Sequence, residues 1–246
     1  GAYEIVVAGP DHGNPFVDVD LAFVFRRGDQ SVRVGAFYDG DGRYVVRFRP
    51  PEPGVWTFLS DSSARSLDGP SGRVEVPKAE GKGGVRVADT FHFEFSDGTP
   101  FVPVGTTAYA WTHQDESLQL QTLSTLSESP FNKIRMCIFP KAYTYNDNEP
   151  ALFPFERSGD DWDHTRFDIE FFRHLERRID DLAGIGVQAD VILFHPYDRW
   201  GFAEMGPAVD RRYLTYLVRR LAGHANVWWS MANEYDFMTT KTLEEW

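Results

Sequence analysis

Cysteine is almost missing from this 246-residue chain; Cys137 stands alone inside an apolar run. An intrachain disulfide is therefore excluded, and so is a zinc site built on paired cysteines. No stretch reaches the ~20 apolar residues of a membrane-spanning helix. No signal-peptide core opens the chain either, so the expected compartment is the cytoplasm. Positive charge is scarce as well, with 25 Lys and Arg against 37 Asp and Glu and a net charge of -12. A nucleic-acid partner needs a basic face, so that class is disfavoured. The deficit is uneven: residues 1–82 sum to -2 and the remainder to -10. A neutral substrate is thus favoured over a polyanion in the C-terminal part. Finally, no glycine-rich phosphate loop follows the first strand of the C-terminal part, which weakens a dinucleotide-binding reading.

What is present is aromatic: 20 Phe, 10 Tyr and 7 Trp, 15% of the chain. Either a rich core or a cleft with stacking faces would account for that. The first 78 residues are short alternating runs separated by turns. Leu21–Phe25, Val32–Tyr38, Tyr44–Phe48, Val55–Leu59 and Gly72–Val76 read as strands, with a tight glycine turn at Asp39-Gly40-Asp41-Gly42. Strands without helices between them predict a β-sandwich over residues 1–82. The polar, glycine-rich segment from Pro77 to Gly84 reads as a linker.

Residues 83–246 have another rhythm. Apolar strands are expected at Phe101–Thr106, Lys133–Phe139, Ala189–Phe194 and Val227–Ala232, the last fully buried. Helices are expected between them at 115–128, 167–183 and 208–222. The second is the clearest, because Phe167, Phe171, Leu175, Ile179 and Leu182 form one stripe. Strand-helix repetition with near-continuous apolar strands predicts a parallel sheet covered by helices, either an eightfold barrel or a doubly wound sheet.

Each of these strands ends in a mixture of rings and hydrogen-bonding groups. Tyr109, Trp111, Thr112, His113 and Gln114 follow the first; Lys141, Tyr143, Tyr145 and Asn146 follow the second. His195, Tyr197, Asp198, Arg199 and Trp200 follow the third, and Asn233, Glu234, Tyr235 and Asp236 the fourth. A barrel gathers all such ends around one mouth. Sugars present hydroxyls at the edge and C–H faces above and below, which suits this mixture. A carboxylate such as Glu234 is what glycoside hydrolysis needs there, although Asn233 and Glu234 could simply cap a helix. Arg135 puts a charge inside an apolar run, where it would require a carboxylate or several acceptors. His113, His195 and Glu234 show no diagnostic metal spacing, so neither metal nor cofactor is expected.

The strings PFVDVDLAFVF, FEFSDGTPFVPVGTTAYAWTHQ, FNKIRMCIFPKAYTYNDNEP, ILFHPYDRWGF and NVWWSMANEYD resemble a family of glycoside hydrolases. In that family an N-terminal immunoglobulin-like β-sandwich precedes an apiosidase-like TIM barrel. The resemblance implies an all-β immunoglobulin-like sandwich followed by an α/β part that is the first half, four βα units, of a (β/α)8 barrel. It implies a retaining two-carboxylate mechanism on an oligo- or polysaccharide, with Glu234 as general acid/base. Asn233 would contact the 2-hydroxyl of the sugar and Arg135 would support the nucleophile. Trp111, His113, His195 and Tyr197 would line the sugar site, and Tyr143 and Tyr235 are further expected substrate contacts.

In such barrels the nucleophile is a carboxylate after the seventh strand, whereas only four strand-helix units are visible, the last helix just starting at Thr240–Trp246. A complete barrel takes about 250 residues. The expectation is a fragment of a longer hydrolase, inactive by itself and prone to self-association through its open sheet edge. The alternatives are a carbohydrate-binding or scaffold protein without catalysis, using Tyr3, Phe37, Tyr38 or Trp56, and a doubly wound transferase.

Overall fold

The computed structural model describes residues 2–78, 80–244 and 246. The N-terminal part comprises β1 (Tyr3–Ala8), α1 (Pro15–Asp18), β2 (Leu21–Arg27), β3 (Gln30–Gly35), β4 (Phe37–Tyr38), β5 (Arg43–Phe48), β6 (Gly54–Ser62) and β7 (Ser71–Val76). These strands form two antiparallel sheets, ordered β1-β5-β4 and β3-β2-β6-β7. Alternation along the strands explains the arrangement. On β6, Trp56 and Ser60 point inward while Val55, Thr57 and Leu59 point out. The two inner faces meet where Phe25 stacks on Phe48 at 3.8 Å and Phe48 meets the edge of Trp56 at 5.3 Å. The glycine turn joins β4 to β5, and Gly40 and Gly42 take the left-handed φ values of 82° and 69° that it requires. The run expected from Val32 to Tyr38 is divided between β3 and β4, which belong to different sheets.

After residues 77–84, of which Ala79 lies outside the described residues, the chain forms β8 (Val85–Ala88), β9 (His92–Phe95), β10 (Pro100–Phe101) and β11 (Gly105–Thr107). It continues with α2 (Glu116–Ser127), β12 (Lys133–Cys137), β13 (Phe155–Ser158), β14 (Asp161–Phe167), α3 (Ile169–Gly184), β15 (Gln188–Phe194), α4 (Pro207–Leu221) and β16 (Val227–Ala232). Four strands, β11-β12-β15-β16, pair in parallel in that order. On one face Ile134, Met136, Ala189 and Val191 are buried in the core that takes in Leu175, Ile179 and Leu182 of α3 and Leu217 and Leu221 of α4. The other face is polar: Lys133 is bonded to Asp190, and Ser230 Oγ donates to Asp190 at 2.6 Å. At the start of β16, Trp228 packs on Phe93 and Phe101, so the small β8–β10 sheet abuts the N-terminal ends of the parallel strands.

Three expectations are corrected. The strand over 101–106 is two pieces: Phe101 ends β10, antiparallel to β9, whereas Gly105 begins β11. Pro103 has no N–H to donate between them, and Asn132 satisfies the Val104 N–H and the Val102 carbonyl instead. The last strand is not fully buried. β16 is an edge strand with Trp229 42% and Met231 47% exposed. Residues 239–244 form turns, not the start of a helix, and Glu245 lies outside the described residues.

The α3 helix begins at Asp168, whose carboxylate accepts from the N–H groups of Glu170 and Phe171 at 2.9 and 3.1 Å. Asp168→Ala removes that cap and should cost about 1 kcal/mol, measurable as a lowered urea midpoint. Helix α1 ties the two parts together. Its cap Asn14 donates to Thr165 Oγ1 at 2.8 Å, and Phe16 meets Tyr38, Phe167 and Tyr216 edge-on.

Candidate active site

The C-terminal ends of the four parallel strands carry the polar cluster. Asn233 follows β16 directly, and its N–H donates to the Phe194 carbonyl at 2.9 Å, which extends the pairing with β15 by one residue. Its side chain is buried and held in one orientation. Oδ1 accepts from Arg135 Nη1 and from the Tyr109 hydroxyl, both at 3.2 Å, while Nδ2 donates to Glu234 Oε2 at 3.0 Å. The Arg135 charge anticipated inside an apolar strand thus reaches an amide oxygen that in turn orients a carboxylate.

Glu234 itself adopts φ 53° and ψ 52°. A left-handed backbone at a non-glycine residue costs on the order of 1–3 kcal/mol and persists only where the surroundings impose it. Here the surroundings are the pinned Asn233 before it and a short 3-10 turn after it, in which the Phe237 N–H donates to the Glu234 carbonyl at 3.0 Å. Glu234 is solvent-exposed. Tyr197 lies against it, and by accepting from the phenol the Glu234 carboxylate raises the Tyr197 pKa above the ordinary range.

Lys141 completes the cluster. Its ammonium lies over the Tyr109 ring at 3.8 Å, the Tyr197 ring at 4.1 Å and the Tyr143 ring at 5.1 Å. Burial pushes its pKa below the usual lysine value. The loops that carry these rings are stitched together. Ala142 N–H donates to the Tyr197 carbonyl at 3.0 Å, and Asn146 Nδ2 donates to the Lys141 carbonyl at 2.7 Å. Gln114 Nε2 then donates to Asn146 Oδ1 at 2.6 Å, which ties in the loop after β11.

Other expected residues stand behind or beside this layer. His195 is buried and shares a 3.1 Å hydrogen bond with the Phe139 carbonyl. A carbonyl only accepts, so Nε2 carries the proton; burial pushes the imidazole down to about 4 and keeps it neutral. His113 stacks on Phe171 at 6.0 Å, and burial lowers it further, to about 3. Trp111 is buried with its indole N–H donating to the Gln119 carbonyl at 3.1 Å. Tyr235 is exposed beside Trp246, bordering a cleft of ≈ 530 Å³ on the open flank of β16. Burial raises the Asp198 pKa, yet its role is to fold its loop, accepting from Trp200 and Ala203 N–H groups at 2.7 and 2.6 Å. Among the described residues no three His, Cys, Asp or Glu side chains gather to hold a metal ion. None of the described helices is long and apolar enough to cross a membrane. A cleft of ≈ 550 Å³ lies at the other end of the sheet, between Arg47, Asp180, Gln188 and His224, and shares no residue with this cluster.

The sequence profile of the apiosidase-like catalytic domain matches residues 88–246. The chain belongs to that family. Residues 1–63 match a domain of unknown function, DUF5060. Among solved structures, a putative glycoside hydrolase from Bacteroides vulgatus ATCC 8482 is 44% identical with a TM-score of 0.95, over 100% of this chain and 50% of that one. The chain therefore spans half the length of that relative. A glycoside hydrolase family 5 structure from the same organism is 14% identical with a TM-score of 0.50, over 65% of this chain and 35% of that one, a likeness of fold alone. No curated protein matches. For this apiosidase-like chain, sequence reasoning placed Tyr109 and Lys141 at strand ends but gave them no role. The available signal was a lysine in a tyrosine-rich loop directly after a buried strand.

Proposed function

We propose that residues 1–82 form an immunoglobulin-like β-sandwich and residues 83–246 the first half of a TIM-barrel glycoside hydrolase domain. In this reading Glu234 is the general acid/base of a retaining hydrolase of oligo- or polysaccharides. One observation carries it: a carboxylate at the C-terminal end of the fourth parallel strand, held by the amide of Asn233, whose oxygen is fixed by Arg135 and Tyr109. Barrel enzymes place their chemistry at that end of the strands. Glu234 would protonate the glycosidic oxygen as the bond to the anomeric carbon breaks. It would then take a proton from the water that releases the sugar from the covalent intermediate. The nucleophile would be a second carboxylate about 5 Å away, on barrel strands beyond the four described here. The remaining Asn233 amide proton would meet a sugar hydroxyl, with Tyr197, Tyr143 and Tyr235 as the rings nearest the entrance. Trp111, His113 and His195 would shape the site from behind.

The binding-module reading has less support, because Phe37, Tyr38 and Trp56 are core residues. The unpaired edge of β16, with Trp229 and Met231 exposed, would be covered by the fifth strand of a closed barrel. Without it, the same edge would pair with a second copy. The test is stereochemical. The protein carrying these residues within a closed barrel is mixed with aryl glycosides, and the first-formed sugar is read by proton NMR. Retention of the anomeric configuration is expected; inversion would eliminate the two-step mechanism.

A further inference from the structure

We propose that Lys141 is a positioning residue, clamping the ring of Tyr109, whose hydroxyl holds Asn233, against the ring of Tyr197. The inference rests on the reading of Glu234 given above for its catalytic consequence, but its geometry stands independently.

Lysine is a costly choice at this place. Lys133 and Lys241 are paired with Asp190 and Asp210. Lys141, only 5% exposed, makes no ion pair among the described residues. Its neighbours are ring faces instead, and an ammonium over tyrosine faces gains most where water is excluded. The two nearest rings are those whose hydroxyls reach the candidate catalytic pair. Tyr109 donates to Asn233 Oδ1 at 3.2 Å, and Tyr197 is the phenol whose pKa the Glu234 carboxylate raises. These tyrosines follow different strands, so nothing in the covalent chain fixes their separation. The ammonium between them does. A methionine or leucine would fill the space without drawing both ring faces to one point.

The charged and titratable groups around Lys141 include Arg135 and Cys137 of β12, His195 after β15, Glu234 after β16, and the three tyrosines. Burial and Arg135 oppose the ammonium, while Cys137 and, from across the mouth, Glu234 favour it. The clamp is therefore held by ring faces and one carboxylate, and it joins the loops after β11, β12 and β15 to the end of β16.

The test compares Lys141→Met, which keeps the stem without the charge, with Lys141→Arg, which keeps charge and ring stacking. In chain 1–246 the Asn233 side-chain amide is read by proton–nitrogen NMR. In Lys141→Met its two resonances should move toward free-amide positions and exchange with water about tenfold faster or more; in Lys141→Arg they should stay near their original places. In the closed-barrel protein, Lys141→Met should lose about tenfold to a hundredfold in kcat with KM nearly unchanged, and Lys141→Arg should recover most of it. A residue that merely fills space would lower Tm without this split. Unchanged Asn233 resonances in a folded Lys141→Met chain would overturn the clamp whether or not the protein hydrolyses glycosides. Should Lys141→Met not fold, Tyr109→Phe keeps the ring over the ammonium but cuts the link to Asn233. Its Asn233 resonances must then move, and their constancy would refute the proposal equally.

Discussion

Arg220→Ala is expected to destabilise the chain by about 3–5 kcal/mol, enough to remove a large part of a typical domain's stability. Arg220 is 1% exposed. Its Nε and Nη2 form a two-pronged pair with Glu176 at 2.7 and 2.9 Å, and its Nη1 donates to Asp39 Oδ1 at 2.8 Å and to the Tyr216 hydroxyl at 3.0 Å. The guanidinium also lies over the Phe37 ring at 4.5 Å. Asp39 stands in the turn between β4 and β5, Glu176 on α3 and Arg220 on α4, so one charge joins the antiparallel N-terminal sheets to two helices behind the parallel sheet. Arg47 of β5 reinforces the junction, donating to Glu176 Oε1 at 2.7 Å and to the Arg220 carbonyl at 2.6 Å. Removing the arginine leaves two buried carboxylates short of partners, and that penalty exceeds the value of the pair itself. Urea unfolding monitored by tryptophan fluorescence would measure it. A loss under 1 kcal/mol would mean that Arg47, together with Arg173, whose Nη2 donates to the Asp39 carbonyl at 2.7 Å, carries the junction without Arg220.

The same cluster sets an acid limit. Burial alone would raise the Glu176 pKa, but hydrogen bonds from Arg220 and Arg47 overcome it, and the folded-state pKa lies below the ordinary glutamate value. A depressed folded pKa means that this stabilisation is fully present above the unfolded-state pKa of about 4.3 and is lost as pH falls below it. The wild-type chain should therefore lose urea resistance steeply below about pH 4. Arg220→Ala should show a shallower acid dependence over that interval, because less of its stability depends on an ionised Glu176.

Periodic features were legible without coordinates. The stripe at Phe167, Phe171, Leu175, Ile179 and Leu182 predicted α3 because helix geometry puts such positions on one side, although Phe167 itself ends β14 and the helix starts at Ile169. The alternation of strands and helices after residue 83 predicted a parallel sheet because no shorter connection joins parallel strands. Contacts between distant segments were not legible. Arg135 was recognisable as a charge in a strand, but its amide partner lies 98 residues away. The β13–β14 hairpin was overlooked because its charged residues mask the alternation, although Gly159 at φ 66° marks its turn. Burial of β16 was overestimated because an apolar run does not reveal whether its strand is central or at an edge.

The largest effect on chemistry is expected at Glu234. In the closed-barrel protein, Glu234→Gln preserves the side chain's shape and its contact with the Asn233 amide but cannot move a proton. If the carboxyl serves as general acid, the loss depends on the leaving group. Alkyl and sugar alcohols leave poorly without protonation, so their hydrolysis should fall by about 10²–10⁴-fold. Dinitrophenolate leaves without assistance, so formation of the covalent intermediate from its glycoside should be nearly unaffected. Turnover of that substrate should still slow, because water no longer has a base. A burst of dinitrophenol followed by slow release is thus the expected trace, and azide, which requires no deprotonation, should restore turnover by attacking in place of water. Asn233→Ala should behave differently. It frees Arg135 and Tyr109 from their shared acceptor, so it should slow all substrates alike and give no azide rescue. Equal losses for good and poor leaving groups in Glu234→Gln would strip position 234 of the proton-transfer role, even if the residue still binds sugar.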